Sequence, residues 1–528
     1  MGRIGFEQPG APPLVFRGEG VGLGIVYNVG RGTRTVNVVL ISTYELGHQP
    51  FGLASPAAWL RQRGAHVTCL DLSREGLRED VIRDADFIAF YVPMHTATRL
   101  AARLIEPVRQ LNARAHLCVY GLYASVNEAY LRGLGVQTIL GGEFEEGLAQ
   151  AVTQLHSRSS SGNASSAARQ SQWRAGSTIS LDRLNFIVPD RAGLPPLQQY
   201  AHVVLPDGGY RVAGYTEASR GCKHLCRHCP IVPVYNGVFR IVPRDVVLAD
   251  IRQQISAGAG HITFGDPDFF NGPAHALAIV EALHREFPRI SYDVTIKIEH
   301  LLRHAEHLPK LRDTGCLFVT TAVESVDDAV LERLNKGHTR ADFLAVAERF
   351  RALGMVLQPT FVPFTPWINL ENYRDLLSVI AEHGLVENVT PIQLGIRLLI
   401  PAGSRLLELD EIRHTAGEFD PAGLLYPWKH ADPRLDALAV SVQELASAGD
   451  KLRLTRAEIF ARIWRAAAEA AGAGAADPSW QAPQVTSIAA IPRLSEPWYC
   501  CAEPTQDQFV AIGGAPQPPA PAQADGFL

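Results

Sequence analysis

"GCKHLCRHCP", residues 221–230, sets Cys222, Cys226 and Cys229 within eight positions, well away from the chain's other five cysteines. Four thiolates would complete a structural metal site, whereas three leave one position open. The loop directly follows "GYTEA" (214–218), which reads as a strand. Further strands are expected at 261–265, 292–298, 317–323, 356–362 and 392–400, with helices at 245–257, 274–287, 342–353 and 370–383 between them. Six βα units predict an open, barrel-like parallel sheet with the cysteines at its carboxyl end, where barrel active sites are built.

Towards the N-terminus lies a second alternating series. "VNVVLIS" (36–42), "HVTCLDL" (66–72), "DFIAFYV" (86–92), "HLCVYG" (116–121) and "QTILGG" (137–142) read as five buried strands. In one intervening segment Leu100, Leu104, Ile105, Val108 and Leu111 share a helix face. This pattern predicts a doubly wound, flavodoxin-like parallel sheet whose ligand-binding edge carries 43–52, 93–96, 121–125 and 141–147.

The expected organisation is a Gly/Pro-rich, flexible lead-in (1–35), the first α/β domain (36–155) and a linker (156–204) beginning "HSRSSSGNASSAARQSQWRA". A partial (β/α)6 barrel (205–405), a mostly helical and irregular C-terminal extension (406–511) and a disordered tail (512–528) follow. "GEGVGLG" (18–24) has no strand before it and reads as flexible chain, not a phosphate loop.

The 528 residues are 47% hydrophobic and 20% charged, with a formal net charge of -5. That balance gives no bulk attraction to nucleic acid or to an anionic membrane. No apolar run approaches bilayer-spanning length, and "MGRIGFEQPGAPPLVF" lacks a signal-type apolar core. Eight cysteines in so long a chain, three of them clustered, do not form a secreted disulfide framework. A reduced, cytoplasmic protein is expected. Cys69, Cys118 and Cys316 fall in expected strands and read as core.

Three thiolates at this spacing can grip three irons of a cubane cluster, leaving the fourth iron to bind a small molecule through an amine and a carboxylate. Plain electron carriers use four cysteines. C-x3-C-x2-C after the first strand of a βα barrel resembles the radical S-adenosylmethionine (radical SAM) superfamily, over roughly residues 205–405. The resemblance implies a [4Fe–4S] cluster on Cys222, Cys226 and Cys229, with SAM on the open iron. It also implies a 5′-deoxyadenosyl radical that takes hydrogen from a small-molecule substrate, and a reducing partner such as flavodoxin or ferredoxin. His228 stands where the family often has an aromatic near the adenine. Gly265 and Asp266 of "FGDPDF" (264–269) stand at the turn facing the methionyl amine, although a Gly-Gly-Glu type turn is absent. Glu324 and Ser325 of "TAVESVDDAVLERLNKGHT" (321–339) match the segment that approaches the ribose or methionyl end of SAM.

An α/β domain ahead of such a barrel resembles the cobalamin-binding-domain class of the superfamily. Members that ligate cobalt use Asp-x-His-x-x-Gly, whereas His48 here sits in Leu46-Gly-His-Gln-Pro-Phe51 and reads as a loop residue. Cobalamin held without a histidine and a lost cofactor both remain open. "WYCCAEPT" (498–505) resembles the tail of a group of radical SAM proteins, some of which carry selenocysteine beside the first cysteine, where Cys501 stands. A disulfide between neighbours is strained, since adjacent Cα atoms lie ~3.8 Å apart. Cys500 and Cys501 are therefore expected to chelate a soft atom, reduce an intermediate or hold substrate.

The competing readings are a zinc site completed by His224 or His228, Glu324 as a helix cap, and tail cysteines without a role. Aminocarboxypropyl transfer from SAM to a thiol-bound metalloid and an iron–sulfur sensor are the functional alternatives.

Overall fold

A computed structural model of the chain describes residues 35–160, 178–473, 477, 480, 481, 483, 490–496 and 503. The lead-in through residue 34, linker residues 161–177, Cys500, Cys501 and the tail from 504 lie outside the described residues.

Buried apolar side chains alternate along the first strands, so both sheet faces need cover. In β1 (Asn37–Ser42), Val38 and Leu40 enter one core while Val39 and Ile41 enter the other. β2 (His66–Asp71), β3 (Phe87–Tyr91), β4 (His116–Tyr120) and β5 (Thr138–Gly142) complete the expected set. All pair in parallel, in the order β2-β1-β3-β4-β5-β6. The sixth strand, β6 (Thr178–Ser180), arises within the stretch read as linker. Three residues flanked by a Ser- and Ala-rich run carry too little periodicity to stand out. Cys69 and Cys118 are core residues, and burial pushes the Cys69 thiol up to about 12.

The second sheet runs β14-β13-β12-β11-β8-β7-β15. β8 (Tyr210–Thr216), β11 (His261–Phe264), β12 (Ser291–Thr295), β13 (Cys316–Glu324) and β14 (Val356–Phe361) are its parallel strands. β7 (His202–Val204) and β15 (Arg493–Leu494) lie antiparallel at one edge. The expected sixth barrel strand does not form. Residues Pro391–Gly395 make a 3₁₀ turn, and only an isolated bridge, Phe364 with Arg397, continues the sheet. The chain just past β14 carries Pro363 and Pro366, which have no N–H to donate to a further strand.

The C-terminal extension, expected to be mostly helical and irregular, carries two long helices, Pro433–Lys451 and Arg456–Ala470. They part where Arg453 adopts φ 54° and Thr455 and Glu458 form a capping box. Further on, β15 pairs with β7 while Gln358 of β14 donates to the Pro492 carbonyl at 2.8 Å. The extension thereby touches both edges of the partial barrel. No helix among the described residues is long and apolar enough to cross a membrane.

The carboxyl edge of the first sheet meets the barrel through charge. Arg220 is buried and binds Glu217 and Glu145 at 2.7 Å and Glu143 at 3.1 Å. Tyr235 donates to Glu143 and Ser55 to Glu145. Nearby, Arg191 joins Gln49 of the first domain to Asp250 of the barrel.

Candidate active site at the three-cysteine loop

Cys222 follows a short ribbon made by β9 (Ser219–Gly221) and β10 (Phe239–Ile241). Gly221 has φ 73°, and a Cβ there would strike the Val238 carbonyl and the Tyr235 ring, so the turn into the loop requires glycine. The loop is then fastened from below. Arg227 donates to the Leu334 and Arg333 carbonyls, Asn335 to the Leu225 carbonyl and Lys223 N–H to Asn271. With its backbone tied down, the loop presents Cys222, Cys226 and Cys229 to a cavity of about 1440 Å³ shared by both sheets.

The three sulfurs do not form a single-ion site. The described groups of three donors within 4.8 Å of one another are Cys222 with His224 and Asp268, and His304 with Glu306 and His307. His228 does not complete a zinc tetrahedron either, because its Nε2 donates to Glu324 at 3.1 Å. Three thiols around a wider space, with no fourth cysteine on the cavity wall among the described residues, fit a cluster with one open iron. Burial pushes the Cys222 thiol up to about 12, so its thiolate needs a cationic partner. At Cys226 one cation is already in place: Lys297 Nζ lies 3.6 Å from Sγ and donates to the Lys336 carbonyl at 2.8 Å.

Glu324 closes β13 in a left-handed conformation, φ 71°, at a register shift against β14. Such a backbone in a non-glycine residue is strained and marks a held side chain. Its carboxylate accepts from His228 and, at 3.3 Å, from Lys336. Burial alone would raise this carboxyl, but the Lys336 charge and the two hydrogen bonds outweigh it and hold it at about 2. Burial lowers His228 below the usual imidazole range. Glu324 is therefore not a free helix cap; Asp327 caps the following helix. Removing the carboxylate should weaken SAM binding by ~1–3 kcal/mol, the cost of a lost buried hydrogen bond. Calorimetry on Glu324→Ala with its cluster intact checks this, and unchanged SAM affinity would return Glu324 to a purely structural role.

The other residues singled out from sequence divide. A Cβ on Gly265 would collide with the Tyr215 phenol, so this turn lets β8 and β11 approach closely. Asp266 lines the cavity, but its oxygens accept from Ala218 N–H at 2.8 Å and Ser219 Oγ at 2.5 Å. Burial pushes its carboxyl up to about 7. Its visible task is to hold the strand that leads into the cysteine loop. Ser325 does not line the cavity; its hydroxyl accepts from Asp327 N–H at 3.0 Å. Asp268, absent from the sequence reading, joins His300 at 2.6 Å and His224 at 3.4 Å beside Cys222.

Across the cavity stand Glu45, His48, Phe51, Tyr91 and Phe144 of the first domain. Tyr91, Tyr120 and Phe144 pack together at the carboxyl edge of the sheet, with centroids 5.0 to 5.9 Å apart. His48 stacks on Tyr215 at 4.8 Å, and burial lowers it to about 4. Neither ring nitrogen has a hydrogen-bond partner among the described residues, whereas ligating imidazoles are oriented by one. The cavity has room for a large cofactor, but the aspartate–histidine pair that would ligate cobalt is absent.

Comparison with known proteins agrees with this geometry. A family model described as the Radical SAM superfamily matches residues 216–380. The ribosomal protein uS12 methylthiotransferase RimO of Geobacter sulfurreducens is 23% identical over 181 residues, 32% of this chain and 39% of that protein. The tRNA-2-methylthio-N(6)-dimethylallyladenosine synthase of the same organism is 28% identical over 192 residues, 33% of this chain and 41% of that protein. The chain thus spans about two fifths of the length of these relatives. Among solved structures, the apo form of the cobalamin-dependent S-adenosylmethionine radical enzyme OxsB covers 79% of this chain and 67% of its own. Its TM-score is 0.61 at 15% identity, a likeness of fold that takes in the first sheet as well as the barrel. Motif, cavity and family model converge on one statement: the chain carries a domain of the radical SAM superfamily.

Proposed function

We propose that this protein is a radical SAM enzyme that cleaves SAM reductively and starts radical chemistry on a small-molecule substrate held in the shared cavity. The observation that carries the reading is the cysteine loop itself, three thiols opening on that cavity beside Lys297 and the Glu324 network, with no fourth among the described residues. With a [4Fe–4S] cluster and SAM bound, the site supplies one-electron cleavage of the sulfonium, giving methionine and a 5′-deoxyadenosyl radical. This chain's own residues do the rest. Cys222, Cys226 and Cys229 hold three irons, Lys297 offsets negative charge at Cys226, and Glu324, with His228 behind it, offers a fixed acceptor to SAM. The electron would come from an acidic carrier such as flavodoxin or ferredoxin, in a reduced, cytoplasmic setting.

The first domain belongs to this proposal as the opposite wall of the cavity, with cobalamin, where bound, held without a histidine from the 43–52 loop. Incubating reduced, reconstituted protein with SAM tests the reading. 5′-Deoxyadenosine supports it, methylthioadenosine would shift it to aminocarboxypropyl transfer, and neither product would leave a sensor.

Cys500 and Cys501 are proposed as the redox or substrate-holding dithiol. Two residues beyond Cys501, Glu503 accepts from Arg397 at 3.3 Å, and its N–H donates to the Arg397 carbonyl. Arg397 lies on the chain that bridges to Phe364 at the barrel edge. That anchor supports a tail held on the barrel. A hydroxyl is a far weaker nucleophile and soft ligand than a thiolate. Cys501→Ser should therefore abolish substrate turnover while SAM cleavage in the absence of substrate continues. A trivalent arsenical should bind the parent protein tightly and lose affinity in both Cys500→Ser and Cys501→Ser; full turnover by the double variant would remove the dithiol from the mechanism.

A further inference from the structure

The floor of the shared cavity carries hydroxyl, amide and carboxylate groups. Successive strand residues alternate faces, so Asp293 and Thr295 of β12, Thr320 of β13, and Gln358 and Thr360 of β14 all turn inward and line the cavity. Register sets Thr295 opposite Thr320 and Thr320 opposite Gln358, in one layer. Lys297 and Glu324 come further along the same two segments, so this layer lies deeper in the barrel than the residues assigned to the cluster and to SAM. Resting on the radical SAM reading, we propose that this floor is the substrate site, and that the substrate bears several hydroxyl groups, held by Asp293 and His48 on one side and by Thr360 on the other.

Three polar groups on this wall lack a partner. Asp293 is fixed through one oxygen only: Oδ1 accepts from His261 Nε2 at 2.8 Å and from Thr263 Oγ1 at 2.7 Å. Behind it, Arg211 donates to Ser291 Oγ at 2.7 Å, and Ser291 meets His261 Nδ1 at 2.8 Å. A guanidinium only donates, so Ser291 can pass its own hydrogen to His261, and each donor in the chain then points towards Asp293. The second carboxylate oxygen, Oδ2, makes no hydrogen bond among the described residues. His48 lies close enough for the Asp293 charge to act on it, and its enclosed Nδ1 has no partner. Thr360 Oγ1 is likewise enclosed and unpartnered. His48 and Thr360 are only 6% and 7% exposed, so these atoms are cut off from bulk water and call for a ligand.

A free carboxylate oxygen takes a hydroxyl or an ammonium, and its neighbours decide between them. Burial lowers His48 to about 4, so the ring is uncharged at neutral pH and can give or take a hydrogen bond. The hydroxyls of Thr295, Thr320 and Thr360 can do the same. A substrate hydroxyl donates to Asp293 while accepting from one of these groups. An ammonium only donates, and would leave their hydrogens unmatched.

Ligand-detected NMR on the full-length, cluster-reconstituted protein, saturated with SAM and without reductant, tests the site. The probes are myo-inositol and cyclohexylamine, which share a six-membered ring and differ in carrying hydroxyls or an ammonium. Inositol should bind saturably, and Asp293→Asn and Thr360→Val should each weaken it at least fivefold. Thr360→Val removes a hydroxyl that bonds nothing in the protein, so it preserves the test where Asp293→Asn disturbs His261. Tighter, Asp293-dependent binding of cyclohexylamine would overturn the proposal in favour of a cationic substrate. Inositol binding that SAM abolishes, no saturable inositol binding, or equal binding by parent and both variants would overturn it too. Binding without reductant is read apart from SAM cleavage, so its failure leaves the radical SAM reading standing.

Discussion

With Cys222→Ala, Cys226→Ala and Cys229→Ala combined, anaerobically reconstituted protein should be colourless, hold no four-iron cluster and release no 5′-deoxyadenosine from SAM. The loss should be complete, because these three thiols are the cysteines on the cavity wall among the described residues. The fold should survive. The loop is fastened through backbone and through Arg227, Asn335 and Lys223, none of which the substitutions touch. Iron analysis and circular dichroism on the same sample separate the two effects. Four irons retained in a folded triple variant would refute the assignment.

Arg220→Met should be the most destabilising single substitution at the junction between sheet and barrel, by ~3–5 kcal/mol, the range for removing one partner of a buried ionic group. The guanidinium holds Glu143, Glu145 and Glu217 together, and methionine would leave three carboxylates clustered and enclosed. Even with arginine present, burial pushes Glu143 up to about 6. Without it, all three carboxyls would be raised above their unfolded values and would take up protons on folding. A group raised in this way lowers stability as pH rises through its folded value. The deficit of Arg220→Met relative to the parent should accordingly be largest near pH 7 and shrink towards pH 5. Urea midpoints at the two pH values check both the size and the sign. An unchanged midpoint at pH 7 would mean that the carboxylates find water or other partners.

Much of the architecture could be read from the chain because its buried strands are short, apolar and β-branched. β1 to β5 and the first five barrel strands fall within a few residues of their expected places. The two strand errors have local causes. β6 is only three residues long, and the expected sixth barrel strand meets an edge carrying Pro363 and Pro366. The site was legible only where chemistry is concentrated in sequence, as in the cysteine loop. Lys297 and Lys336 look like ordinary solvated lysines in "TIKIEH" and "LNKGHT", yet folding brings both to Glu324 or Cys226. The Arg220 network joins a residue beside the cysteine loop to Glu143 and Glu145, more than seventy positions away in a turn recognised only as a strand end. Asp266 and Ser325 also hold the local backbone through their hydrogen bonds, a task that family position did not suggest.

The central claim is that one iron of the cluster is left open for SAM, and Mössbauer spectroscopy of the iron-57 reconstituted protein addresses it directly. Addition of SAM should shift the signal of one iron in four towards higher coordination while the other three stay unchanged. Four equivalent irons, unmoved by SAM, would contradict the account and make the loop part of an electron carrier or a structural site.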